Sequence, residues 1–110
     1  MHLGQPESGT GAFVAWPASR AAAPAIVVIH EWWGLNGQIR SVARRLAQEG
    51  YVAIVPDLYH GKVAGDPEYA HELSRGLDED QAMSDLDAAL GWLRTQSRVD
   101  RRRIGVVGFC

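Results

Sequence analysis

Cys110 is the only cysteine in the chain, and it ends the run Ile104-Gly105-Val106-Val107-Gly108-Phe109-Cys110. A β-branched run that rises into a glycine and then a thiol reads as a buried strand delivering a nucleophile to the top of a parallel sheet. A nucleophile elbow also needs a tight strand-to-helix turn with a second glycine two residues past the nucleophile. Gly108 and Cys110 supply the first half of that motif, and the second half is missing. Thiol chemistry requires a thiolate, favoured by a helix N-terminus and a neighbouring base. The other reading of a lone cysteine after a valine-rich strand is a small buried hydrophobe.

Glu31 is the second candidate. It follows the apolar run Ala25-Ile26-Val27-Val28-Ile29 and is flanked by His30 and by Trp32-Trp33. A carboxylate there is costly to bury unless paired, and otherwise turns outward to solvent. If both strands are parallel, Glu31 and Cys110 share one rim, where an acid holds the thiol proton or shifts its pKa. The backbone after Glu31 is also where one oxyanion-hole N–H would sit. His30-Glu31 does not open a zincin motif, because position 34 is glycine where a second histidine is required. His60 and His71 lack ligand spacing and read as loop or surface histidines. Gly105-Val106-Val107-Gly108 is an incomplete dinucleotide fingerprint with no helix or acidic residue after it.

These residues need a scaffold, and the pattern supplies one. The 25–29 run is continuously apolar, as in a strand covered on both faces. Asn36 is a good N-cap for a helix over 37–49, in which Ile39, Val42, Ala43, Leu46 and Ala47 form one stripe. Gly50 stops it as the residue past the C-cap, and a strand over 51–55 follows. Strand, helix and strand within some 30 residues make a βαβ unit, hence a parallel pair with a right-handed crossover. Phe13-Val14-Ala15-Trp16, closed by Pro17, reads as an early edge strand. Asp66-Pro67 starts a short helix ending at Gly76. Asp78 with Gln81 resembles a capping box opening a helix with Met83, Leu86, Leu90 and Leu93 on its apolar stripe. Arg101-Arg102-Arg103 is a solvated turn before the final strand at 104–109. The fold class is α/β, the first half of a mostly parallel sheet with helices on both faces.

With 110 residues, 46% of them hydrophobic, the chain is one domain with enough apolar surface for a core. A net charge of −2 makes no electrostatic case for nucleic acid or an anionic membrane as partner. A single cysteine fits a reducing compartment, and neither a secretory signal nor a spanning apolar run is visible. The expectation is a soluble, cytoplasmic protein.

Three stretches together resemble the dienelactone hydrolase family. They are Val28-Ile29-His30-Glu31-Trp32-Trp33-Gly34-Leu35-Asn36 followed by Ile39-Arg40, then Gly50-Tyr51-Val52-Ala53 with Pro56-Asp57-Leu58-Tyr59-His60-Gly61, and finally the run into Cys110. The last matches the family's Gly-x-Cys-x-Gly-Gly elbow as far as it goes. The resemblance implies an α/β-hydrolase fold and a Cys-Asp-His triad that cleaves lactones or esters through an acyl-enzyme. By position, Cys110 matches the nucleophile, Glu31 the acid that holds the resting thiol, and the Trp32 backbone N–H one oxyanion donor. The triad Asp and His lie beyond the elbow in this family, so they are absent here. The dienelactone enzymes also use arginines for the substrate carboxylate, and residues 66–77 offer only Arg75.

The expected function is hydrolysis of a small-molecule ester or lactone, with no cofactor or metal, by a domain of which this chain is the N-terminal part. The 110-residue polypeptide alone is expected to be inactive and poorly stable, because the base is missing and the last strand is left uncovered. The rival from another class is a non-catalytic α/β module using Glu31 and the tryptophans as a binding rim.

Overall fold

In the computed structural model, which describes residues 11–108, four strands form one sheet in the order β1-β3-β2-β4. The strands are β1 (Ala12–Ala15), β2 (Ala23–Ile29), β3 (Val52–Pro56) and β4 (Val99–Gly108). The helices are α1 (Gly37–Gln48), α2 (Pro67–Arg75) and α3 (Glu79–Arg94). β2 runs parallel to both β3 and β4, and only β1 is antiparallel, at the edge beside β3. The expected parallel arrangement and the edge position of the first strand are both present.

The two faces of the sheet carry separate cores. On one, α1 lays Ile39, Ala43 and Ala47 against Phe13, Val28, Ala53 and Val55. On the other, Ala89 and Leu93 of α3 meet Val14, Val27, Val52 and Ile54. The alternation of the pleat splits neighbours such as Val27 and Val28 between these layers. The covered faces explain why β3 is buried along its whole length.

Local chemistry sets the ends of the elements. The Asn36 side chain accepts from the Ile39 N–H at 3.1 Å, and Gly50 leaves α1 at φ 102°, a region that glycine enters without steric cost. Asp66 caps α2 through the Tyr69 N–H at 2.9 Å, with proline at the first helical turn.

Three details depart from expectation. The capping box does not form: Asp78 accepts from the Asp80 N–H, and the Gln81 amide instead donates to Asp85 at 2.9 Å. The buried line of α3 is Asp85, Ala89 and Leu93, while Met83 stands 58% exposed, because Asp85 finds a partner across the fold and takes the inward position. Finally, β4 begins at Val99, before the arginines. Val99 pairs with Ala23 and Ile104 with Ala25, so the residues between them bulge out of register. Asp100 knits that bulge together, accepting from the Arg102 N–H at 3.1 Å and from the Arg103 guanidinium at 2.9 Å. The Arg102 N–H first, and then Arg103, hold the Asp100 carboxyl below the usual carboxylate range.

Candidate active site

The candidate site lies where β2 and β4 end. Their register places Gly108 beside Ile29, so the two parallel strands finish at the same rim. That is the edge at which open α/β sheets place their ligands. Glu31 and Trp32 leave β2 there; Cys110 lies outside the described residues.

Beyond His30 the chain makes a tight turn at 31–34, closed by a hydrogen bond from the Gly34 N–H to the Glu31 carbonyl at 3.1 Å. The same carbonyl lies 2.7 Å from His30 Nδ1. The Glu31 side chain is half-buried, and its carboxylate has no hydrogen bond or ion pair among the described residues. The reading of Glu31 as a paired carboxylate therefore finds no partner in residues 11–108. None of the hydrogen bonds among the described residues uses the Trp32 N–H. Its indole is 40% exposed and meets Trp33 and His71 edge-on, with ring centroids at 5.6 and 5.7 Å.

A second loop, at 57–64, backs this turn. The Asp57 carboxylate accepts from the Tyr59 N–H at 3.2 Å and the Gly61 N–H at 2.7 Å, while its carbonyl accepts from the His60 N–H. His60 takes a left-handed conformation, φ 51°, and Gly61 follows at φ 96°. His60 Nε2 reaches Asp85 on α3 at 2.7 Å, which pins the loop to a helix 25 residues on. The two loops join directly, with the Ala64 N–H donating to the Trp33 carbonyl at 2.9 Å. Tyr59 packs beside His30, and burial pushes its phenol up.

Gly34 is the contact point between the loops. Its φ is 98°, and a methyl group there would lie 2.8 Å from the Lys62 carbonyl oxygen and 3.2 Å from the Tyr59 ring. Gly34→Ala is therefore expected to cost about 2 kcal/mol or more, from a left-handed alanine plus a backbone collision. Chemical denaturation of the variant measures this, and a loss under about 0.5 kcal/mol, the range of ordinary surface substitutions, would contradict it.

Among the described residues there is no group of three or more His, Cys, Asp or Glu side chains able to hold a metal ion. No helix of the described residues is long and apolar enough to cross a membrane. An apolar groove of about 650 Å³ along Phe13, Trp16, Arg44 and Ala47 lies toward the opposite end of the parallel strands.

The residue pattern of the dienelactone hydrolase family matches residues 10–110. The chain belongs to the dienelactone hydrolase family. A carboxymethylenebutenolidase of Pseudomonas putida is 36% identical over 109 residues, covering 91% of this chain and 45% of its own. A structure from Klebsiella pneumoniae assigned as a dienelactone hydrolase superposes with a TM-score of 0.85 at 32% identity, covering all of this chain and 49% of that one. A dienelactone hydrolase-like promiscuous phosphotriesterase from metagenomic libraries superposes at 0.78 with 28% identity, over 92% of this chain and 44% of that one. The chain thus spans less than half the length of these relatives. Family membership was legible in the three motifs. The Asp85–His60 link and the hydrogen bond from the Leu58 N–H to His30 Nε2 were not, since these partners lie 25 and 28 residues apart in sequence.

Proposed function

We propose that the protein carrying this chain is a cysteine-dependent hydrolase of small-molecule carboxylic esters or lactones, with residues 1–110 the first part of a single α/β-hydrolase domain. The observation that carries the reading is the Ile29–Gly108 pairing. It ends two parallel strands side by side, two residues short of Glu31 on one and of Cys110 on the other. In the proposed reaction the Cys110 thiolate attacks the carbonyl carbon of the substrate. The Trp32 N–H and the N–H of the residue after the nucleophile hold the oxyanion of the tetrahedral intermediate. The carbon–oxygen bond to the leaving alcohol breaks as that oxygen is protonated, and water then hydrolyses the thioester. Glu31 stands beside the thiol and holds its proton in the resting enzyme. Family resemblance assigns the triad Asp and His to positions past the elbow, so the 110-residue polypeptide alone is proposed to be inert.

The test uses two samples against aryl esters and simple lactones. The full-length protein is expected to turn over and to lose activity in proportion to alkylation of one thiol. The 110-residue polypeptide is expected to show no turnover above buffer. Full activity after stoichiometric alkylation would overturn the cysteine mechanism, and turnover by the short polypeptide would overturn its proposed inertness. A full-length protein that binds esters without cleaving them would favour the non-catalytic module.

A further inference from the structure

His30 is buried, with 6% of its surface exposed, yet it is not packed as an apolar residue. Its Nε2 accepts from the Leu58 N–H at 3.1 Å, and an N–H can only donate. Nε2 therefore carries no proton, and Nδ1, 2.7 Å from the Glu31 carbonyl, must carry one to donate to it. Both bonds are satisfied by the neutral ring in that tautomer alone. The ring bridges the two loops of the site end, and Tyr59 packs against it edge-on with centroids 4.9 Å apart.

The Glu31 carbonyl and the Trp32 N–H belong to one peptide unit, which is planar and trans, so they point in opposite directions. Whatever fixes the carbonyl also aims the N–H. The carbonyl is fixed twice, by the Gly34 N–H that closes the turn and by His30 Nδ1. Leu58, at the other end of the imidazole, sits in the loop that Asp57 braces and that His60 ties to Asp85.

We propose that His30 is a positioning residue for hydrolysis: by bridging the Leu58 N–H to the Glu31 carbonyl it aims the Trp32 N–H at the developing oxyanion. This rests on the proposed hydrolase reading, in which the Trp32 amide is an oxyanion donor. Both ring nitrogens are taken up by main-chain groups, so in this role the imidazole acts through one peptide plane. Loss of the bridge leaves the donor present but badly aimed, so the effect should be smaller than deleting a donor, which costs roughly 10²–10³ in kcat.

The test compares His30→Leu and His30→Gln in the full-length protein. Leucine fills the space and offers neither bond. The glutamine amide offers a donor and an acceptor about as far apart as the two ring nitrogens. His30→Leu is expected to lower kcat about 10-fold with KM nearly unchanged, while His30→Gln recovers most of the loss. Alkylation of Cys110 by iodoacetamide develops no oxyanion, so its rate should stay near wild type in both variants. Wild-type kcat in a folded His30→Leu protein would overturn the proposal. So would a His30→Gln protein as slow as His30→Leu, or turnover and alkylation falling together, which would mark a purely structural histidine. Cys110→Ala is the control that separates the two claims. Turnover that survives it sinks the hydrolase reading and the positioning role together, whereas with turnover that depends on Cys110 the His30 variants alone decide.

Discussion

Cys110→Ala in the full-length protein is expected to lower kcat/KM for aryl esters by about 10⁴-fold or more, because removal of a covalent nucleophile leaves only binding and oxyanion stabilisation. Thermal unfolding should change by no more than ordinary substitutions do, since alanine removes one sulfur. The measurement is steady-state hydrolysis of an activated ester, with mass spectrometry of quenched enzyme for the acyl adduct. Wild type should show one acyl group on Cys110, and the alanine variant none. The inert-hydrophobe reading of Cys110 makes the opposite forecast: unchanged turnover with a measurable stability loss. A decrease of less than tenfold would decide for that reading.

What the sequence revealed of this fold follows from where the information is local. The α1 stripe repeats at helical spacing, Asn36 and Gly50 mark its ends by side-chain and backbone chemistry within one turn, and the apolar runs of β2 and β3 flank it. Each of those signals needs only a few neighbouring residues, and each corresponds to an observed element. The errors share the opposite character. Asp85 was passed over because a carboxylate in a helix reads as a solvent-facing residue, whereas here it is 1% exposed and meets His60 from a distant loop. Met83 then took its place on the apolar stripe. The arginine run read as a turn, and only pairing with Ala23 reveals that the strand starts at Val99 and bulges over it.

The site divides along the same line. Glu31, Trp32 and Cys110 are candidates by the motifs around them, and of these the structure describes Glu31 and Trp32, just past the end of β2. The surroundings that hold the 31–34 turn were not legible, because they are made from main-chain groups of another loop. Gly34 illustrates this. Its motif neighbours mark it as part of the family pattern, but the reason for a glycine is the Lys62 carbonyl oxygen 2.8 Å from where a Cβ would stand. His30 drew attention as a failed metal ligand and as one residue of the family motif, and its actual partners are the Leu58 N–H and the Glu31 carbonyl.

Glu31→Gln is expected to move two measurements in opposite directions. In the proposed site, an ionised carboxylate beside the Cys110 thiol would disfavour a second negative charge and so keep the resting thiol protonated. Glutamine removes that repulsion at nearly constant shape. Thiolate then forms at lower pH, and the pH profile of alkylation by iodoacetamide shifts toward acid, so at neutral pH the variant alkylates faster than wild type. Turnover should nevertheless fall, by about 10²-fold, since a positioned acid or base contributes roughly that much or more to a proton-transfer step and the amide cannot exchange the proton. Faster alkylation with slower hydrolysis is a signature that loss of folding does not produce, because unfolding would impair hydrolysis without an ordered acid shift of one thiol. If Glu31 is instead a solvated carboxylate at the sheet rim, both the alkylation profile and kcat will match wild type, and its assignment to the site is wrong.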